Sequence, residues 1–257
     1  MQTNIPSSST VLRSLLRADF TTQWRNRRAV IMVILVPVII LISWKGLVSH
    51  FGGGFVLSNC ITVGLTSIGL LGYSNSVARD RDRGIFQRLR VAPVPGWTIM
   101  VSRLAVQLFM IIVMTLAVFA AGAYFDKITM NTSGYVLGLI SAIVGGAVYL
   151  GLGQAVVGGI KNAETVNSVS RLIYFVFIMV GMFGEIGAHS NSMGSMGKRL
   201  GQIVEWSPYG TVKNVVLSGL TPGSWNSQTN IYLLVMIGYA LLFSFLGIKW
   251  FRWNASK

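Results

Sequence analysis

Long apolar runs dominate this chain, and they constrain its fold more than any other feature. Hydrophobic residues make up 53% of the 257 residues, and the mean hydropathy of +0.63 is unusual for a soluble domain. Six runs approach the length of about 20 residues that crosses a bilayer as a helix. They cover residues 29–49, 55–77, 104–125, 134–159, 166–184 and 229–248. Because a bilayer core leaves backbone groups without water, we predict an all-α integral membrane protein with six transmembrane helices.

The basic residues are distributed unevenly between the two sides of these runs. The chain has a net charge of +14, and an N-in topology places 16 of its 21 lysines and arginines in the cytosol. The five that fall outside are Lys45, Lys127, Lys198, Arg199 and Lys213. This bias follows the positive-inside rule. We therefore attribute the charge to membrane orientation rather than to nucleic-acid binding, with both termini cytosolic.

The segment 10–28 has the pattern of an amphipathic helix. Apolar residues such as Leu15, Phe20 and Trp24 share one face, and Arg13 and Arg17 lie on the other. A basic helix with aromatic residues on its apolar side fits the plane of the cytosolic leaflet. The pattern allows either a plain lipid anchor or a regulatory element.

A dense run of charge lies between the second and third apolar runs. Seven of the twelve residues from Arg79 to Arg90 are charged, and the apolar Ile85, Phe86 and Leu89 interrupt the run before Pro93. We predict a short cytosolic helix that binds a partner, since a loop that only fixes topology does not need apolar residues among its charges. A solvated topology loop is the alternative.

Catalytic and metal-binding motifs are absent from the sequence. It has no phosphate-binding loop, no H-E-x-x-H and no nucleophile elbow. None of the seven acidic residues lies near the predicted centre of a span, which argues against an ion-coupled transporter. His189, Met193 and Met196 could suit copper, but we expect no metal site in a glycine-rich loop with three weak ligands.

Two of the predicted spans carry stripes of polar and small residues. At spacings of three and four, span two carries Asn59, Thr62, Thr66, Gly69 and Tyr73, and span five carries Asn167, Ser170, Tyr174, Phe177, Gly181 and Gly184. Such residues face protein or a cavity rather than lipid. The stripes therefore indicate either helix packing or a transport pathway.

Two further segments depart from a plain span. The fourth run is rich in glycine and alanine at spacings of four, which predicts close packing against neighbouring helices. Residues 185–227 are too polar and glycine-rich to span, yet carry apolar residues such as Ile203 and Val212. We predict short helices there that enter the outer leaflet and return.

The charged loop resembles a motif of one transporter family. Asp82-Arg83-Gly84, followed by Leu89 and Pro93, is similar to the E-[KR]-G-x-x-x-x-L-x-x-x-P loop of type-2 ABC exporter permeases, also called ABC-2-type transporters. Trp206-Ser207-Pro208-Tyr209 resembles the proline-containing segment that precedes the last span in that family. Asp80 and Asp82 depart from the pattern, because the family more often has glutamates there.

The resemblance implies one ABC type-2 transmembrane domain over 1–257, with an interfacial helix (10–28), a coupling-helix loop (79–98) and an external re-entrant segment (185–227). The coupling helix would dock on a separate ATPase subunit that carries ATP and Mg, while this chain carries no cofactor and no catalytic residue. Ile85, Phe86 and Leu89 would fill an apolar notch, and the charges would set the register. The full docking set is Asp80, Asp82, Arg83, Gly84, Ile85, Phe86, Arg88, Leu89, Arg90 and Pro93.

The resemblance also implies a pathway lined by spans two and five of two protomers, in a homodimer or heterodimer of a bacterial plasma membrane. The expected lining residues are Asn59, Thr62, Thr66, Tyr73, Asn167, Ser170, Tyr174 and Phe177. Because these side chains are polar but uncharged, we expect export of an amphipathic or lipid-like molecule. A polysaccharide or teichoic-acid precursor is the alternative cargo, and an ATP-independent scaffold or channel is the alternative function.

Overall fold

A computed structural model describes residues 8–86, 96–183 and 194–250 of the chain, and every regular element among them is helical. The helices are α1 (Ser8–Arg25), α2 (Arg27–Ser43), α3 (Lys45–Phe51), α4 (Gly53–Asp82), α5 (Gly96–Phe125), α6 (Thr132–Gly159), α7 (Ala163–Val176), α8 (Gly194–Trp206), α9 (Pro208–Leu220) and α10 (Ser227–Trp250). A π-helix interrupts α4 at Ser67–Tyr73, and another extends α7 over Phe177–Phe183. The predicted all-α class is confirmed for these residues.

Four of the described helices are long and apolar enough to cross a membrane, namely α4, α5, α6 and α10. A fifth candidate span is the pair α1 and α2 taken together, which bends by 59° at its break. The predicted span at 166–184 corresponds to α7 and its π-helical extension. The helical content fits an integral membrane protein, while the count of six spans remains a prediction.

The first predicted span is not one continuous helix. The prediction runs from 29 to 49, but α2 ends at Ser43 and the seven-residue α3 begins at Lys45. Pro37 lies inside α2 and packs against α4 at Gly64. The chain enters α4 through Gly52, whose φ of +83° is readily adopted only by glycine.

Helix α4 forms the centre of the bundle. The most apolar part of α4 is 94% buried within the chain, whereas the corresponding part of α10 is 17% buried. Helices α2, α5, α6, α7 and α9 all pack against α4. A movement of α4 would therefore change its packing against these five helices.

Glycines on α6 let two neighbouring helices approach its backbone. A Cβ atom at Gly153 would overlap the carbonyl of Gly69 on α4, and one at Gly134 would overlap the carbonyl of Leu220 on α9. These contacts confirm the close packing predicted from the small residues of the fourth run.

Helices α8 and α9 form a hairpin whose turn contacts two long helices. Ser207 caps α9 by accepting a hydrogen bond from the Gly210 amide at 3.1 Å, and Pro208 occupies the first turn. The Trp206 carbonyl accepts a hydrogen bond from the Tyr239 hydroxyl of α10 at 2.9 Å. The Tyr209 hydroxyl, just after Pro208, donates a hydrogen bond to Asn59 of α4. Helix α9 then runs to Leu220, beside the start of α6.

Helix α1 packs along α5 with its apolar face. The Phe20 and Phe109 rings meet edge to face at 5.2 Å, and Leu15 packs against the core. Trp24, which shares the predicted apolar face, is 63% exposed on the protein surface, so its contact with lipid stays a prediction. The helix also ends earlier than the predicted residue 28, at Arg25, where Asn26 separates it from α2.

Candidate functional site

Arg81 joins the end of α4 to the end of α6. Its side chain is 2% exposed. Its guanidinium donates hydrogen bonds to the carbonyls of Val157 at 2.7 Å, Ile160 at 2.8 Å and Lys161 at 2.6 Å. Val157 lies in the last turn of α6 and Ile160 is its C-cap, where carbonyls have no intrahelical donors, and Lys161 follows directly. A cation at this end also interacts favourably with the helix dipole. Arg81 therefore caps α6 from a distance of about 80 residues in sequence.

The next residue, Asp82, holds the start of α7. Its Oδ2 accepts a hydrogen bond from the Ala163 amide at 3.1 Å. The Asn162 side chain caps the same helix start by accepting from the Glu164 amide at 2.8 Å. Two consecutive residues at the base of the charged loop thus contact the end of α6 and the start of α7. We call the segment formed by Arg81, Asp82 and residues 157–163 the loop clamp.

A second set of contacts joins the same region to α5 and α1. Asp80 forms a salt bridge of 2.6 Å with Arg103 on α5. The Arg103 guanidinium also lies over the Phe86 ring, 5.0 Å from its centroid. The neighbouring Ser102 donates a hydrogen bond of 2.6 Å to Asp19 of α1. The charged loop is thereby tied to α5, α6 and α7 at one end of the bundle, and through α5 to α1.

These contacts change the interpretation of part of the predicted docking set. Asp80 and Asp82 are bonded within the chain, and Phe86 is fully buried. Phe86 therefore cannot enter a notch on a partner in this conformation. Arg83 is exposed and Ile85 is partly exposed, on either side of Gly84, which has a φ of +68°. The remaining members, Arg88, Leu89, Arg90 and Pro93, lie outside the described residues.

The predicted stripe on α4 faces the interior of the bundle. Its four polar members are buried, and three of them, Asn59, Tyr73 and Thr66, bond to other helices, Thr66 to Tyr149 of α6. Asn59 accepts from the Tyr209 hydroxyl at 3.0 Å, and Tyr73 donates to Gln154 at 2.6 Å. Thr62 and Thr66 donate to the carbonyls four residues before them. This stripe therefore contacts α6 and α9 rather than an open channel.

Helices α4 and α7 meet along a neighbouring stripe that sequence reasoning missed. The Oγ atoms of Ser74 and Ser170 lie 2.9 Å apart, and Tyr174 forms a hydrogen bond with Ser67. Val63 belongs to an apolar cluster that also contains Tyr174, Phe177 and Tyr209 of α9. The missed residues Val63, Ser67 and Ser74 are spaced by four and seven, so their helical spacing was a usable signal. We call this contact the α4–α7 seam.

Of the remaining members of the predicted pathway on α7, Asn167 is half-buried, and Ser170 is fully buried in the seam. His189 and Met193 lie outside the described residues, and the side chain of Met196 is not described. The structure therefore brings Ser170 and Tyr174 to Ser74 and Ser67 of α4 rather than to the predicted lining residues of α4, and it brings Phe177 to Tyr149 of α6.

Both helices of the seam contain a π-helical segment. In α4 this segment begins at Ser67 and ends at Tyr73, and in α7 it follows Val176 directly. Single π-turns within α-helices are frequent at functional sites, because they rotate the residues that follow onto a different face. The coincidence of two such segments on two contacting helices marks the seam as the candidate site of movement.

The fold and this site define a helical membrane protein in which a charged loop is fixed to the ends of neighbouring helices. The chain matches the family described as ABC-2 family transporter protein over residues 45–249, well over half of its length. It therefore belongs to that family. It is a multi-pass membrane protein, the permease subunit of an ABC transporter, and it works with an ABC ATPase subunit in transport rather than in catalysis. No curated protein matches the chain.

Proposed function

We propose that this chain is the permease of an ATP-driven exporter that moves an amphipathic or lipid-like small molecule out of the cytosol or the inner leaflet. A separate ATPase subunit, with ATP and Mg bound to it, would supply the energy. The loop clamp is the observation that carries this proposal. Because Arg81 and Asp82 connect the base of the loop to α6 and α7, a force applied at this base reaches both helices.

The α4–α7 seam supports a pathway that opens only during transport. Ser74 and Ser170 are in contact and fully buried, so this arrangement has the seam closed. Movement of the loop would carry the end of α4 and the start of α7 with it, since the clamp holds both, and would thereby displace the adjoining seam. A closed resting state of this kind favours a powered transporter over a permanently open channel.

A second protomer, identical or similar, is part of the proposal. Leu172, Phe175 and Val176 on α7 expose apolar surface next to the seam. A partner protomer would cover this face and place two copies of α7 around one pathway. The polar, uncharged character of Asn167, Ser170 and Tyr174 supports an amphipathic cargo.

The orientation of the chain is also proposed. The end of the bundle that carries Arg79, Arg81, Arg83, Arg103 and Lys161 would lie in the cytosol of a bacterial cell, with both termini. The opposite end carries Lys45 and Lys127. More of the basic residues near the ends of the spans therefore lie at the loop end. The permease would therefore lie in the plasma membrane with its charged loop facing the ATPase.

Co-purification tests the proposed coupling. A tagged full-length chain is isolated from its native membrane in mild detergent and scored for a stoichiometric subunit that hydrolyses ATP. We expect such a subunit with the wild-type chain and its loss in the variant Arg83→Glu with Arg88→Glu, because the charges of the loop would set the register of docking.

The matched control is Lys127→Glu, which reverses an exposed charge at the opposite end of the bundle. It should retain the ATPase. Equal retention of the ATPase by the loop variant and the wild-type chain would contradict docking through this loop. A folded, monodisperse chain that never carries an ATPase would instead favour the scaffold or channel alternative.

A further inference from the structure

A polar cavity of about 640 Å³ lies between α8, α9 and the start of α10. Its rim carries exposed polar residues, including Gln202, Ser224 and Gln228. Deeper positions carry buried side chains, among them Lys213 and Tyr232. The cavity is therefore open on one side and lined by groups that bind polar atoms.

Lys213 is the most unusual of these residues. It is 3% exposed, and its Nζ lies 5.4 Å from the centroid of the Phe55 ring. Its backbone lies two helical turns before the end of α9 at Leu220, roughly 10 Å along the helix at 1.5 Å per residue, and its ammonium lies beside the first turn of α4. A buried ionisable side chain in a membrane protein is costly and marks a functional site unless it serves packing alone.

An acidic group lines the same cavity. Glu205 on α8 accepts a hydrogen bond from the Tyr232 hydroxyl, and the hydroxyl in turn accepts from the Gln228 amide at 3.0 Å. This chain of bonds fixes the carboxylate in the cavity wall. The cavity thus combines one cation, one anion and several amide and hydroxyl groups, including those of Asn214 and Ser218.

We propose that this cavity binds the headgroup of a zwitterionic phospholipid. The lysine would pair with the phosphate, the carboxylate would accept from the primary ammonium, and the amides and hydroxyls would bind the remaining phosphate oxygens. Ile203 and Leu234, which are exposed on the same helices as the cavity lining, would offer apolar surface for acyl chains. The inference rests on the proposed membrane orientation, which places the cavity in the outer leaflet, and it narrows the proposed substrate class to phospholipid-like molecules.

Native mass spectrometry of the purified full-length chain tests this site. The probes are phosphatidylethanolamine and phosphatidylglycerol with identical acyl chains, because only the first carries an ammonium. The wild-type chain should retain more phosphatidylethanolamine. Lys213→Met should weaken binding of both lipids about tenfold, the expected cost of one charge-assisted contact. Lys213→Arg should retain both, and Glu205→Gln should abolish the preference between them.

Arg199→Gln is the matched control, because Arg199 is exposed on α8 and does not line the cavity. Unchanged lipid binding in Lys213→Met, an equal loss in Arg199→Gln, or a preserved lipid preference in Glu205→Gln would overturn the proposal. If Lys213→Arg retains both lipids, a loss of binding in Lys213→Met reflects the missing charge rather than misfolding caused by any substitution at this position. The measurement needs no ATPase, so its failure is distinct from a failure of the proposed coupling.

Discussion

Arg81 connects two distant segments of the chain through one buried side chain. Three backbone carbonyls at the end of α6 accept its hydrogen bonds. Replacing it by glutamine removes the charge and shortens the side chain, so these carbonyls lose their donors inside the protein. The loop then loses its direct connection to α6.

We expect Arg81→Gln to lower the free energy of unfolding by about 2 kcal/mol or more, because hydrogen bonds to charged groups contribute about 1.5–3 kcal/mol. We also expect the ATPase to bind the variant but transport to be lost. Thermal unfolding in detergent and transport by the assembled complex measure the two effects. Arg79→Gln is the control, since Arg79 is exposed one turn from the clamp; an equal effect of both substitutions would contradict a specific role for Arg81.

Asp126, in the turn between α5 and α6, makes stability depend on pH. Both of its carboxylate oxygens are buried and accept no hydrogen bond within the described part of the chain. Burial raises the pKa of this carboxyl above its ordinary value, and nearby Lys45 partly opposes the rise. The folded state therefore holds the proton more tightly than the unfolded chain does. The resulting stability is fully present below the ordinary carboxyl pKa and is lost as the pH rises through the raised value.

Asp126→Asn should consequently raise the melting temperature at neutral pH by about 2–4 °C, since a neutral amide is cheaper to bury than a carboxylate. It should also flatten the decline in stability between acidic and neutral pH. Thermal melts across this range provide the measurement. A variant that melts below the wild-type chain at neutral pH would show that the carboxylate is instead stabilising.

At the residue scale, the sequence identified the charged loop but not the direction of its side chains. Adjacent residues on a helix point to different faces, so Arg81 and Asp82 could be assigned to solvent or to the interior only through their partners. Those partners lie about 80 positions further along the chain. The sequence likewise predicts Phe86 as an exposed apolar contact, whereas in the structure Arg103 packs over its ring.

Among the helices, the contact between α4 and α6 depends on two glycines that face each other. The backbone of Gly69 meets Gly153, and a methyl group at either position would overlap the opposite helix. The π-helical segment of α4 begins two residues before Gly69. The close approach therefore occurs where α4 departs from regular α-helical geometry.

Gly153→Ala should lower the free energy of unfolding by about 1–3 kcal/mol, the usual cost of overpacking a well-filled interior. Gly238→Ala on α10 is the control, because nothing lies within 4 Å of its added Cβ. The control should be neutral or stabilising by about 0.5–1 kcal/mol. Chemical or thermal unfolding of both variants measures the difference, and equal stability of Gly153→Ala and the wild-type chain would refute the close packing.

The helices also explain why the predicted polar stripe was only partly useful. Spacing correctly indicated that Asn59, Thr62, Thr66 and Tyr73 share buried surroundings. It could not tell which neighbouring helix they face, because a central helix is buried on all sides. The contact with α7 uses Ser67 and Ser74 instead, and the π-helical segment that shifts the register after Ser67 has no clear sequence signal.

For the whole molecule, hydropathy predicted the long helices α4, α5, α6 and α10 and the loop motif indicated the family. It did not predict the break at Trp44, where no proline or glycine marks the end of α2. Hydropathy also gave no sign that Lys213 lies within the bundle, because a single lysine in a polar segment reads as solvent-exposed. Its burial follows from the hairpin of α8 and α9, which is a tertiary feature.

The account connects the ATPase to the α4–α7 seam through the loop clamp, and the seam offers a direct test. The double variant Ser74→Cys with Ser170→Cys, in a Cys60→Ala background, places two thiols where the hydroxyl oxygens are 2.9 Å apart. Oxidation should form a disulfide readily at this distance. The rate of cross-linking then reports whether the seam is closed.

The most direct measurement is the rate of this cross-link in the assembled transporter with and without a non-hydrolysable ATP analogue. The account predicts that nucleotide changes the rate several-fold and that Arg81→Gln abolishes the change while Arg79→Gln preserves it. A cross-linking rate that is the same with and without nucleotide, in a complex that binds the nucleotide, would contradict transmission from the ATPase to the seam.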